Sequence, residues 1–501
     1  MEYIIKKLGG ENAAEIHKSA QNIFQDYERG VFQAVVVSAI RTSSFNTTDK
    51  LIELGKLFQS ASVDKTQIHR IIVELEQFHL NILSEKLIDV YPLVVDLVKT
   101  QFILLQENVE AYLSQDHKTL IPHDSNDYSL LLPNNTRFSI LGFGETLSAK
   151  IISCVVDSLS SNNICSKSID LSNLIQADEI GDKSTSEIFD ILSLKIGEIV
   201  EYNVLNGHIP IIGGYIGSFE HGIEQAIGRG YTDSTASICT VGLSERKHDV
   251  ILEVQKSVPG LMSADPRLLE DPKKARVIES LDYLTAREIT GDSGAQAKLL
   301  HHQTLNSRVQ EAGVRVHLFD PFSKTSHGSW IEPTLQKKGN SADSGVEFIG
   351  ARSDIIFFSI SSGKMFEKNI LGRLFSIVKD YFSIDIVSTS ETEITFTIDG
   401  CGECDKKLNE MISKITQEFS LHDKTSMEFV EYRKDRALLF LVGGNMRNHI
   451  GLMARATKVL AENDINIKMV SQGRLQRAMV FGIRSDDMKK ALNMLHDEFI
   501  N

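Results

Sequence analysis

Apolar residues recur along this chain with two periods, and the change from one to the other marks its organisation. Short β-branched runs at residues 3–6, 34–38, 209–214, 250–254 and 314–318 each stand near a stretch of helical spacing. That alternation predicts an α/β domain on a mainly parallel sheet, from residue 1 to about 335. Residues 49–115 keep a helical period with almost no Gly or Pro, which predicts a helical elaboration on one side of the sheet. The polar stretch Lys337-Lys-Gly-Asn-Ser-Ala-Asp-Ser-Gly345 then reads as a linker.

Beyond the linker one small pattern is used twice. The first copy runs strand 354–359, helix 369–382, strands 384–388 and 393–398, and helix 406–419. Its first helix sets Ile370, Leu371, Leu374, Phe375 and Val378 on one face. The second copy repeats the order at 437–442, 449–463, 465–470, 478–484 and 486–499. Two ferredoxin-like βαββαβ domains are expected, over 346–432 and 433–501, each with its helices on one face of a sheet. No closing strand is visible for the second copy, and a segment such as 427–432 is a candidate to be shared.

Composition narrows the class. A chain of 501 residues exceeds one comfortable core, so several domains are expected. The net charge of −14 argues against non-specific nucleic-acid binding and against an anionic membrane surface. No apolar run approaches the roughly 18–20 residues that span a bilayer. The opening Met1-Glu-Tyr-Ile-Ile-Lys-Lys7 is too short and too charged for a secretion signal. Five cysteines fit a reducing compartment, and a cytoplasmic location is expected. Cys401-Gly-Glu-Cys404 reads as a strand-to-helix turn, with metal or redox chemistry the alternative. His301 and His302 are adjacent on a helical stretch and so point apart, a poor metal pair.

Two segments carry chemistry. Gly228-Arg-Gly-Tyr-Thr-Asp233 combines backbone N–H groups, a guanidinium and a carboxylate in one turn, suited to an anionic substrate beside a phosphoryl group. Near the N-terminus, Lys7 ends the first strand just before Gly9 and Gly10, where a backbone can approach phosphate oxygens. This is not a Walker A loop, whose Lys follows the glycines. Each motif alone also fits an ordinary Gly turn. Glu145 alone fits a helix cap, and Arg229 a surface ion pair.

Taken in order, the motifs resemble the aspartokinase (aspartate kinase) family over nearly the whole length. They are Lys7-Leu-Gly-Gly10, Ser38-Ala39, Thr47-Thr48, Gly142-Phe-Gly-Glu-Thr-Leu-Ser148, Gly228-Arg-Gly-Tyr-Thr-Asp233, Ser263-Ala-Asp-Pro-Arg267 and Ala297-Lys-Leu-Leu-His301. Ser388-Thr-Ser-Glu391, Gly444-Asn-Met446 and Ile465-Asn-Ile-Lys-Met-Val-Ser-Gln-Gly473 extend them. Their form is nearest the fungal and ectoine-pathway branches. The resemblance implies an amino-acid-kinase-like three-layer αβα sandwich followed by tandem ACT domains. It also implies ATP and Mg²⁺ as cofactors, L-aspartate as acceptor, and aspartate-family amino-acid biosynthesis as the setting. Lys7 and Asp233 become the catalytic pair; Ser38, Thr48, Glu145 and Arg229 bind aspartate. Gly9, Gly10, Lys256, Arg267 and Lys298 bind ATP, and no protein side chain ligates the metal directly.

The ACT pair implies an amino-acid effector, lysine or threonine, between paired sheets. Met365, Asp385, Thr389, Ser390, Glu391, Asn445, Met446, Ile465 and Asn466 match its contacts. A homodimer follows, with further pairing to a tetramer left open. The chain also departs from the family: Glu11-Asn12 replaces Thr-Ser after the glycines, Met262 replaces a Tyr, Ser257 an acidic residue and Gln296 a Gly. A catalytically impaired amino-acid sensor is therefore the alternative to an active kinase, and a kinase for another carboxylate or a carbamate is a third reading.

Overall fold

The computed structural model describes residues 1–500 apart from 59–63, 87–90, 115–139, 161–163, 172–173, 175–178, 180–182, 217–230, 291–299, 301, 324–326, 334–344, 362–368, 401–404 and 420–428. The chain divides into two compact units, Met1–Leu261 with His301–Pro333, and Met262–Leu300 with Thr334–Asn501. The segment Met262–Leu300, which the linear reading leaves in the first domain, thus falls in the second unit.

The first unit is built on strands β1 (Glu2–Leu8), β2 (Phe32–Val37), β3 (Ser166–Ile169), β4 (Ile209–Gly213), β5 (Asp249–Gln255), β6 (Arg315–Phe319) and β7 (Ser329–Glu332), in the order β3-β4-β2-β1-β5-β6-β7. All neighbours are parallel except β6 and β7. Strands buried on both faces read as continuous apolar runs, and the fully buried Ala34, Val35, Val36 and Val37 of β2 show it. On one face lie helices α2 (Ile16–Glu28) and α6 (Phe143–Leu159), preceded in the chain by the short α1 (Gly10–Ala14). The elaboration α3 (Thr47–Leu57), α4 (Lys65–Lys86) and α5 (Tyr91–Ser114) packs into the same core. On the other face lie α7 (Thr185–Leu205) and α8 (Tyr231–Glu245). These two run so close that a Cβ on Gly242 would sit 2.0 Å from the Ser193 carbonyl oxygen.

The two-residue period of β1 sorts its lysines. Lys6 turns to the first face and pairs with Asp26 of α2, while Lys7 turns to the second and meets α8.

The second unit holds one six-stranded antiparallel sheet. Its strands are β8 (Phe348–Ser361), β9 (Ile384–Thr389), β10 (Glu393–Asp399), β11 (Phe429–Val442), β12 (Met469–Gln472) and β13 (Ala478–Arg484), ordered β9-β10-β8-β11-β13-β12. Helices α9 (Ile370–Val378) and α10 (Asp405–Phe419) cover the first copy, α11 (Leu452–Glu462) and α12 (Met488–Phe499) the second.

The two central strands each serve both copies. The first half of β8 pairs with the second half of β11, from Phe348 opposite Val442 to Arg352 opposite Leu438. The second half of β8 pairs with the first half of β11, Phe357 opposite Arg433 and Ser361 opposite Phe429. Register shifts at Arg433–Leu438 and a left-handed Asp354 (φ 59°) mark the crossing. The strand missing from the second copy is therefore Phe348 to Arg352, which precedes the first copy. Of the segment 427–432, residues 429–432 close the first copy; 427 and 428 lie outside the described residues.

The predicted strand 465–470 is also corrected, since β12 begins at Met469. Ile465 instead ends α11, donating its N–H to the Leu460 carbonyl at 2.9 Å and burying its side chain in the core. Its apolar signal belongs to the helix end.

Candidate active site

Parallel strands that leave the sheet on opposite sides open a crevice at their carboxyl ends. Here β1 lies between β2 and β5, and the chain stays bonded past the strand ends. Gly9 N–H donates to Gln255 O at 3.0 Å and Ser38 N–H to Leu8 O at 3.2 Å. Lys7, Gly9, Gly10, Ser38 and Lys256 are thereby gathered at one end of the sheet.

Asp233, in the first turn of α8, faces them. The Lys7 Nζ lies 2.7 Å from its Oδ1 and the Lys256 Nζ 3.6 Å from its Oδ2. A helix N-terminus favours a carboxylate, and two ammonium groups neutralise it. Burial pushes the Lys256 ammonium down from its ordinary pKa, with the Asp233 carboxylate opposing and Lys7 adding to the push. Two cations beside one carboxylate leave a positive excess, which suits a polyanion.

Glu145 carries the opposite demand. It stands in the first turn of α6, 3 % exposed, and its Oε1 accepts a hydrogen bond from Thr232 Oγ1 at 2.8 Å. Its Oε2 is buried with no hydrogen-bond partner. Burial raises its pKa to about 8, against the Thr232 hydrogen bond and the Lys7 charge. A buried carboxylate short of one partner is a receptor for a cation.

Thr232 and the pair Gly213-Gly214 were not singled out from the sequence. A Cβ on Gly214 would lie 2.5 Å from Thr232 Cγ2, and one on Gly213 3.2 Å from the Glu145 backbone. The signal was two glycines ending a fully buried strand, where a close approach is the usual reason.

Thr48 sits in the first turn of α3, its N–H capped by Asn46 Oδ1 at 3.1 Å. Arg229 and Lys298 lie outside the described residues, as does Met365. Arg267 belongs to the second unit; its side chain is 88 % exposed and paired with Asp265 at 2.7 Å. Among the described residues no three His, Cys, Asp or Glu side chains are grouped to hold a metal ion. Cys401, Cys404 and His301 lie outside them.

Of the effector positions, Asp385 lines a cavity of about 240 Å³ with Leu438, Ser471 and Arg477, all in the second unit. Its Oδ2 is held by Arg352 Nη1 at 3.2 Å. Thr389, Ser390 and Glu391 are exposed at the β9–β10 turn, which Ser390 Oγ closes by accepting from Glu393 N–H at 3.1 Å. Asn445 is half-buried and Asn466 exposed, whereas Met446 and Ile465 are core residues of the second copy.

Comparison with known proteins agrees with this arrangement. Residues 2–320 match the family model described as "Amino acid kinase family", and residues 439–499 match the one described as "ACT domain". Aspartate kinase FUB3 of Gibberella fujikuroi is 23% identical over 99% of this chain and 97% of its own length. The aspartokinase of Schizosaccharomyces pombe is 24% identical over 99% and 93%. Among solved structures, Escherichia coli aspartokinase III in complex with lysine and aspartate has a TM-score of 0.70 at 18% identity, covering 100% of both chains. Clostridium acetobutylicum aspartate kinase has a TM-score of 0.71 at 20% identity, over 99% of this chain and 100% of its own.

Proposed function

We propose, from the premise that the chain belongs to the amino acid kinase family, that it is an aspartate kinase. It transfers the γ-phosphoryl group of ATP to the side-chain carboxylate of L-aspartate, giving 4-phospho-L-aspartate and ADP. The observation that carries this reading is the buried, half-partnered Glu145 beside the Lys7–Asp233–Lys256 cluster. One end of the site is short of a cation and the other of an anion, which is what a zwitterionic acid and a nucleotide would supply.

The acceptor carboxylate is ionised at neutral pH, so no general base is needed. The task is to bring two anions together. Lys7 would touch the transferred phosphoryl group, and Lys256 would flank the leaving phosphates. Asp233 holds both ammonium groups in place. Glu145 takes the α-ammonium of aspartate, Arg229 one carboxylate, and Ser38 and Thr48 line the acceptor side. Gly9 and Gly10 allow phosphate to approach the backbone, and Arg267 and Lys298 are assigned to the α- and β-phosphates by their motifs. Mg²⁺ would arrive on the nucleotide and neutralise phosphate charge.

The second unit is proposed to sense lysine or threonine as part of a homodimer, with Asp385 receiving the ligand amine in place of Arg352. No described helix is long and apolar enough to cross a membrane, which is compatible with the proposed cytoplasmic location.

Trapping with hydroxylamine tests the reading. With ATP, Mg²⁺ and a panel of amino acids, the parent is expected to yield aspartyl hydroxamate and Lys7→Ala to yield none above background. Absence of any hydroxamate from the folded parent would overturn it.

A further inference from the structure

Glu11 is the departure that most threatens phosphate binding, because it puts a carboxylate directly after the paired glycines. Its surroundings answer the threat. Glu11 Oε1 accepts a hydrogen bond from Arg41 Nη2 at 3.2 Å, and Oε2 accepts one from Ser257 Oγ. Two departures from the family pattern therefore touch each other. An acidic residue at position 257 would face Glu11 as a like charge, whereas a serine donates to it.

Arg41 is held from its backbone as well. Its N–H donates to Gly10 O at 3.0 Å, and a Cβ on Gly10 would come within 2.7 Å of Ala39 O and 3.0 Å of Arg41 Cβ. It pairs across a narrow loop with Asn46, while Thr42 N–H donates to Phe45 O at 2.9 Å. The same Asn46 caps α3 at Thr48. The Arg41 charge reaches Lys256, where with Lys7 it works against the ammonium. Beside it a polar cavity of about 580 Å³ is lined by Glu11, Arg41, Asn46, Asp49, Lys50 and Glu53, so the cavity itself carries more carboxylates than cations and Arg41 would serve the phosphates from its edge. Arg41 is thus tied through Glu11 to Ser257, the residue next to Lys256, and stands beside the Lys7–Lys256 pair at the ends of β1, β2 and β5.

We infer that Arg41 is a third phosphate-directed cation of this site, and that Glu11 and Ser257 are the pair that positions it. The inference rests on the proposal that the nucleotide phosphates sit at Lys7 and Lys256. Glu11 then orients a guanidinium instead of opposing the phosphates, and the loop carrying Thr48 is tied to the turn carrying Gly9 and Gly10.

Equilibrium titration of MgATP, without aspartate, decides it. Arg41→Ala is expected to weaken binding about ten- to hundredfold, and Arg41→Lys by less, since a point charge keeps attraction but not the fork. Glu11→Gln and Ser257→Ala are each expected to weaken it about threefold in the parent and not at all in Arg41→Ala. The aspartate KM should move less than twofold in Ser257→Ala. Unchanged MgATP affinity in a folded Arg41→Ala, judged by an unshifted thermal midpoint, would overturn the cation role. Tighter binding in Glu11→Gln would show plain repulsion and overturn the positioning role. Because nucleotide binding is read directly, these outcomes stand whether or not the hydroxamate assay finds aspartate as acceptor.

Discussion

Glu145 is the residue whose chemistry reaches furthest. With its pKa raised to about 8, the folded protein keeps a proton that the unfolded chain releases near pH 4.5. Stability from this group is therefore fully present below about pH 4.5 and is lost as pH rises toward 8, at up to about 1.4 kcal/mol per pH unit. An ammonium ligand reverses the preference by favouring the ionised form. Aspartate affinity should accordingly rise with pH, approaching tenfold per unit below 8 and levelling above it, while MgATP affinity changes little. Steady-state KM values from pH 6 to 9 measure this. Glu145→Gln should flatten the aspartate profile, weaken aspartate binding throughout, and remove the parent's loss of thermal midpoint with rising pH. A parent aspartate KM independent of pH would refute the assignment.

At the scale of elements, the sequence was most legible where one period ran uninterrupted. β1, β2, β4, β5 and β6, the helical elaboration and helices α9 to α12 follow their apolar spacing, whereas β3 and β7, four residues each, carry too few apolar positions to be read. Legibility failed where one segment served two masters. β8 reads only as its second half, 354–359, and β11 as 437–442 with 427–432 set apart, because the register between the two strands shifts midway, at Asp354 and between Arg433 and Leu438. Ile465 misled because a helix end and a strand start both bury a β-branched residue. At the site, the motifs single out Lys7 and Asp233, which the structure brings together, but not Arg41 or the bond from Thr232 to Glu145, since those partners lie 30 and 87 residues away.

The segment from Ser263 to Glu270 shows what such distant partners do. Ser263 Oγ accepts from Arg276 N–H at 3.0 Å and meets His496 Nε2 of α12 at 3.1 Å. Asn493 of α12 accepts from Glu270 N–H at 2.8 Å and donates to Leu268 O at 3.1 Å. The motif that carries Arg267 is thus fixed by the last helix of the second ACT copy. Asn493→Ala strands a buried N–H and a carbonyl, and should cost about 1–3 kcal/mol. With Arg267 assigned to the nucleotide phosphates as proposed, it should also raise the KM for ATP more than that for aspartate. Thermal unfolding and initial rates check both, and an equal effect on the two KM values would break the link.

For the whole molecule, the division into units does not follow the order of the chain. Met262–Leu300 leaves β5, joins the second unit, and returns the chain toward β6. Within that unit Ala264 and Leu269 are buried among Val346, Ile349, Leu452 and Phe481. A cut at the linker would therefore not release a finished kinase domain, because those side chains would face water. Leu269→Ala in the full chain should cost about 2–4 kcal/mol as a core truncation. The fragment 1–335 should lack a sharp unfolding transition and aggregate, and its MgATP affinity should fall well below that of the full chain. A soluble, monomeric 1–335 with the parent's thermal midpoint and nucleotide affinity would contradict this account. The chain passes between the two compact units three times, and the first passage runs straight into the Ser263–Arg267 motif; with Arg267 assigned to the nucleotide phosphates as proposed, strain set in the second unit by the proposed amino-acid effector has a covalent route to a nucleotide-side cation. An effector acting this way should raise the KM for ATP and leave the hydroxamate-forming step at saturating ATP nearly unchanged.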